Sequence, residues 1–115
     1  MLAALDEGHY VYIRSGTDHR FIGVWPIVVE RRLFIRSWND KPTGWYRAFL
    51  AEPRGAIRIG DKIVPVRAKR LRSERLNETI DRAYLEKYNS KGNLKYSKGL
   101  AEPARRATTT ELTPA

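Results

Sequence analysis

The stretch RSWNDKPTGWYRAFL, residues 36 to 50, sets Trp38, Trp45 and Tyr46 among Arg36, Lys41 and Arg47, with Pro42 and Gly44 between them. Flat aromatic faces stack planar rings, and fixed cations hold anions. A short helix opening after Thr43 would add unpaired amides and a partial positive charge beside Lys41. Such a dipole term is worth only about 0.3–1 kcal/mol, whereas a micromolar ligand needs about 8 kcal/mol. A ring packed on Trp25, Trp38 or Trp45 has to supply much of the difference. The chemistry indicated is retention of a phosphorylated, ring-bearing cofactor. The competing assignment is structural: Trp45 and Phe49, at i and i+4, with Leu50, would anchor the short helix. Arg36 reads equally well as a ligand contact or an exposed strand residue, and Arg47 as helix surface.

Other constellations are missing. The chain has no cysteine, which removes disulfides, thiolate nucleophiles and cysteine-bound metals. His9 and His19 are ten residues apart on different predicted elements, with no HExxH spacing, so no metal site is expected. No nucleophile elbow, Walker loop or GxGxxG occurs. Asp6 and Glu7 read as solvated surface. Any redox chemistry would therefore belong to a bound cofactor, with the protein orienting it.

The net charge of +9 and pI near 10.2 predict an anionic partner. The densest cationic run is KIVPVRAKRLRSER, residues 62–75, with six Lys or Arg against Glu74. Arg67, Lys69, Arg70, Arg72 and Arg75 there offer a second reading, a nucleic-acid face, although no recognised nucleic-acid motif accompanies them. A non-catalytic module that sequesters a cofactor or another anionic ligand is a further alternative. The start of the chain has no signal-peptide pattern, and its longest apolar runs fall far short of the roughly 20 residues of a membrane span. A soluble, cytoplasmic protein of one domain, residues 1–115, is expected.

The positioning elements follow from periodicity. HYVYIR alternates, with Val11 and Ile13 on one face and Tyr10, Tyr12 and Arg14 on the other. RFIGVWPIVVE reads as one longer strand with an edge, bulge or break at Pro26. RLFIRS follows as a third strand, then GWYRAFLAE as a short helix capped by Thr43 and stopped by Pro53. RGAIRI and KIVPVRAKRL form a hairpin about Gly60-Asp61. SERLNETIDRAYLEKY is the clearest helix, with Ser73 as N-cap and Leu76, Ile80, Ala83, Tyr84 and Tyr88 on one face. Residues 89–102 read as a polar connector, and RRATTTEL as a sixth strand. The prediction is a mainly β protein with two helices and six antiparallel strands.

From Pro26 to Leu71 the run PIVVERRLFIRSWNDKPTGWYRAFLAEPRGAIRIGDKIVPVRAKRL resembles the split β-barrel flavin-binding proteins related to pyridoxamine phosphate oxidase. It is nearest the deazaflavin-dependent nitroreductase branch and, within it, a small bacterial family of uncharacterised function. The helix to YLEKY and the final ATTTELTP extend the resemblance over most of the chain. It implies a split barrel that binds FMN or a deazaflavin nucleotide, works as an oxidoreductase by hydride transfer, and forms a homodimer. It implies phosphate and ring contacts at Arg36, Ser37, Trp38 and Lys41 and at the helix start, Trp45 and Tyr46. Trp25, Pro26 and Ile27 would pass the reactive edge of the ring, and Tyr88 and Tyr96 would border the substrate. The family's Gly-Arg-x-Ser-Gly segment is replaced here by SGTDHRF, where Gly16 and Arg20 stand in for it.

Overall fold

The computed structural model describes residues 10–17, 19–38, 41–90 and 92–115; His9, Asp6 and Glu7 lie outside them. Seven strands and four helices are present among these residues, rather than the six and two expected. The strands are β1 (Val11–Ser15), β2 (Ile22–Val24), β3 (Ile27–Val29), β4 (Arg32–Ile35), β5 (Arg54–Ile59), β6 (Lys62–Arg70) and β7 (Thr110–Pro114). The helices are α1 (Trp45–Ala51), α2 (Glu74–Lys87), α3 (Leu94–Leu100) and α4 (Pro103–Arg106).

All strand pairs are antiparallel, in the order β2-β1-β5-β6-β7-β4-β3. Consecutive strands β2 and β3 thus occupy opposite edges, and only Trp25 and Pro26 separate them. The sheet must curl for two edges to come within reach of a two-residue link. This explains the extra strand. Proline has no N–H to give a ladder, so the apolar run expected to be continuous ends at Pro26 and restarts on the other edge.

Inside the curl, Val11, Ile13, Val24, Leu33, Ile35, Ile57, Val66 and Leu112 form one core, into which α1 sends Trp45, Tyr46 and Phe49. Ser15 ties the far end of α1 to β1, its hydroxyl donating to Glu52 O at 2.7 Å. Gly44, not Thr43, is the N-cap of α1, and it makes no side-chain capping bond. A second core lies outside the curl. Leu76, Ile80, Tyr84 and Tyr88 on α2 and at its end cover Ile27, Val29 and Phe34. Strand β4 serves both, with Leu33 and Ile35 facing inward and Phe34 outward, as period-two geometry requires.

The hairpin about Gly60-Asp61 forms as predicted, with Ile59 opposite Lys62. Ser73 caps α2, its Oγ accepting from Leu76 N at 3.2 Å. The expected polar connector is instead helical over α3. Ser97 supplies a reason: its Oγ, wholly buried, donates to Tyr88 O at 2.8 Å and fastens α3 onto the end of α2. The last strand starts later than predicted, because Arg105 and Arg106 belong to α4. Thr108 and Thr109 are buried where their hydroxyls accept from Ser37 N and Arg36 Nε, both at 2.8 Å.

Candidate functional site

The edge strand β2, the Trp25 crossing, the loop after β4, the start of α1 and the face of α3 enclose a cavity of about 730 Å³. That volume suits a cofactor-sized ligand. Of the residues singled out in the sequence, Arg20, Trp25, Arg36, Ser37, Trp38, Lys41, Trp45 and Tyr96 line it. Pro26, Ile27, Tyr46 and Tyr88 do not.

The four outside the lining build its walls. Tyr88 stacks on the back of Trp25, with ring centroids 4.3 Å apart and planes 6° from parallel. Its hydroxyl donates to Pro26 O at 2.7 Å, and that of Tyr84 donates to Trp25 O at 2.8 Å. The crossing therefore hangs from two tyrosines of the long helix. Burial raises the Tyr84 phenol well above its ordinary value, so it stays a neutral donor. Ile27 lies in the outer core, and Tyr46 reaches Ala107 O at 3.4 Å from the inner one. Trp45 combines both readings open to it, since it belongs to the inner core and also lines the cavity.

Trp38 is held differently. It is 42% exposed, and the Arg105 guanidinium lies 3.6 Å from its ring centroid while Arg105 Nε donates to Trp38 O at 2.7 Å. Gly99 backs the same indole so closely that a Cβ there would lie 2.5 Å from Trp38 Cη2. Tyr96 meets Trp38 edge to face at 5.4 Å and Trp25 at 6.4 Å, closing the space between the two tryptophans. Arg105 and Gly99 were not foreseen. No local signal marks them, because their partner is more than 60 residues away in the chain.

Arg36 matches neither alternative read from the sequence. It is 4% exposed, and all five N–H donors of its guanidinium are engaged within the protein. Nε donates to Thr109 Oγ1, Nη1 to Asp81 and Leu100 O, and Nη2 to Asn77 O and Oδ1. Asp81 also lies 3.0 Å from Arg106 Nε. Arg36 thus braces the loop, α2, α3 and the segment before β7 behind the cavity. Arg20 and Lys41 are the other cations of the lining, and no carboxylate joins them among the described residues.

The basic run does not form one face. Arg75 pairs with Glu30 at 2.9 Å, and Lys69 lies across the sheet from Glu111. Glu111 in turn binds Arg32 through both carboxylate oxygens at 2.8 Å, which holds its carboxyl below the usual range. No group of three or more His, Asp or Glu able to hold a metal occurs among the described residues, and no described helix is long and apolar enough to cross a membrane.

In structure the chain is similar to an F420-H2-dependent reductase, FDR-A, with a TM-score of 0.64 and 17% identity over 90% of this chain and 92% of that one. It is also similar to the conserved hypothetical protein Rv2991 from Mycobacterium tuberculosis, with a TM-score of 0.59 and 10% identity over 96% and 74% of the two chains. Likeness at these identities establishes the fold, the split β-barrel inferred from the sequence. No curated protein matches the sequence. Over residues 2–112 it matches the family described as "uncharacterized protein conserved in bacteria (DUF2255)", and the chain belongs to that family.

Proposed function

We propose that the aromatic cavity binds a flavin or deazaflavin nucleotide and that the protein is an oxidoreductase using it. The observation that carries this reading is the pairing of Trp25 and Trp38, bridged by Tyr96, with Arg20 and Lys41 in the same lining. Two indoles give a planar ring its apolar surface, and two cations in the same lining favour a phosphate-bearing tail. The structural likeness to an F420-H2-dependent reductase supports the same class of cofactor.

When bound, the ring would supply hydride transfer to a small molecule. The chain's own residues do the rest. Trp25, fixed by Tyr88 behind it, presents a rigid wall, and Trp38 presents a wall held by Arg105. Lys41 and Arg20 hold the phosphate. Arg36, with every donor committed, keeps the loop between them in place. Tyr96, 42% exposed, is the hydroxyl placed to pass a proton at the open side. A homodimer belongs to this reading. Tyr12, Arg58 and Ile63 stand in register across β1, β5 and β6, with Tyr12 41% and Ile63 55% exposed, a row that a second copy would cover.

The test is selective loss at Lys41. Lys41→Ala is expected to weaken FMN binding about tenfold, or ~1.4 kcal/mol, while leaving riboflavin affinity unchanged in equilibrium dialysis. Equal loss of both ligands would assign Lys41 to the loop's structure, and binding of neither FMN nor a deazaflavin nucleotide by the wild-type protein would overturn the reading.

A further inference from the structure

A second concavity, of about 360 Å³, lies where β6 turns into α2 and faces α4. Arg70, Arg72, Glu74, Asn77 and Arg106 line it, and the cofactor reading leaves its open donors without a role. Arg70 Nε donates to Ala107 O at 3.2 Å, which leaves both of its terminal amino groups without a partner among the described residues. Arg72, exposed at the rim, has none.

The floor is less expected. Asn77 is 8% exposed, and its Oδ1 accepts from Arg36 Nη2 at 3.2 Å. That bond fixes the amide's orientation and leaves Nδ2 as a donor with no acceptor among the described residues. Arg106 Nη1 is 2.7 Å from Glu74 Oε1, while its Nε, though 3.0 Å from Asp81 Oδ2, is buried without hydrogen-bond geometry. A buried donor left without hydrogen-bond geometry, as Arg106 Nε is, is costly unless something satisfies it. The lining carries three guanidiniums against one carboxylate, and Glu74 is spent on Arg106 at the exposed rim.

We propose that this cleft is an anion site, separate from the aromatic cavity, for a compact doubly charged oxyanion: a phosphate group, free or as a small phosphate monoester. Two uncommitted guanidinium forks match the geometry and charge of a phosphate. Asn77 Nδ2 adds a neutral donor at the floor. No aromatic ring lines the cleft, so a stacked nucleotide base has nothing to rest on. A polyanion running beyond it would meet Arg75 already bound to Glu30, and Lys69 beside the negative charge of Glu111. The site does not depend on the cofactor reading.

Inorganic phosphate and glycerol 3-phosphate, titrated separately into the 15N-labelled full chain at constant ionic strength, test this. Saturable shifts are expected for the backbone amides of Arg72, Asn77 and Ala107 and for the Asn77 side-chain amide, with a dissociation constant of about 1 mM. The ligand that binds tighter identifies free phosphate or a monoester as the source. Arg70→Ala with Arg72→Ala, both exposed positions, should weaken binding at least tenfold while the rest of the spectrum stays put. Shifts that rise linearly and match those from added chloride would overturn the proposal, as would equal affinity in the double variant. A short single-stranded oligonucleotide that displaces phosphate from these residues, with a steep salt dependence, would replace it with a nucleic-acid site.

Discussion

The aromatic cavity and the basic cleft stand on either side of one buried guanidinium. Both collect positive charge, yet they are built for different work. The cavity puts Lys41 and Arg20 beside Trp25, Trp38 and Tyr96, so charge there accompanies aromatic surface that a bound ring would cover. The cleft puts Arg70 and Arg72 over Asn77 with no ring nearby. Charge alone binds small anions weakly, and rings supply the energy that makes a cofactor site. The difference teaches that a basic composition announces anions without saying how many sites there are. It is the placement of aromatic side chains that separates one site from the other.

Arg36 lies between the two, and removing it should have the largest effect. Arg36→Met leaves Asp81 with Arg106 as its one cationic partner among the described residues and strips donors from Thr109, Asn77 and Leu100. Breaking such a buried pair costs about 3–5 kcal/mol, to be read as a lowered urea midpoint. Both sites should weaken together.

Gly99→Ala should separate them. In an ordinary helix this change stabilises by roughly 0.5–1 kcal/mol. Here the new methyl would meet Trp38 Cη2 at 2.5 Å and Cζ3 at 2.8 Å. A net cost of about 1–3 kcal/mol is expected instead, because the indole has to shift. Loss of FMN quenching with unchanged phosphate shifts at Asn77 is the expected pattern.

The smallest effect belongs to a pair outside both concavities. Glu111 is held below its ordinary pKa by the Arg32 fork, so the stabilisation is present above the unfolded value near 4.5 and lost as pH falls through the folded value. Arg32 is 39% exposed, which limits the contribution to about 1 kcal/mol or less. Glu111→Gln should reduce stability by that amount at pH 7, and the gap from wild type should close below pH 4.5 in urea titrations.

Local signals were enough for some of this architecture. The β5–β6 hairpin and α2 were legible because a turn dipeptide, a capping serine and a five-residue apolar face determine them without help from distant residues. Pro26 was legible as an interruption but not as a change of sheet edge, since that depends on how the whole sheet curls. Helix α3 was hidden because its Gly, Lys and Asn content argues against a helix. It is held by tertiary contacts, the Ser97 bond to Tyr88 O and the packing of Gly99 on Trp38. Arg36 was the hardest to place. Its acceptors come from positions 77, 81, 100 and 109, and nothing near it in the chain distinguishes a buried strut from a ligand contact. Eight of the twelve expected site residues line one cavity: the aromatic and cationic turn itself pointed to Trp25, Trp38, Lys41 and Trp45, while Arg20, Ser37 and Tyr96 came from the resemblance. Tyr88 was placed on the substrate side by the resemblance alone, whereas its helical spacing with Leu76, Ile80 and Tyr84 marked it for the buried face, where it stacks behind Trp25.

The most direct measurement is quenching of intrinsic tryptophan fluorescence as FMN and, separately, a deazaflavin nucleotide are titrated into the apo-protein at low and high salt. Saturable micromolar quenching by one of them, weakening only modestly with salt, is the result predicted for a ring seated against Trp25 and Trp38. Absence of quenching by either ligand at both salt concentrations would contradict the account.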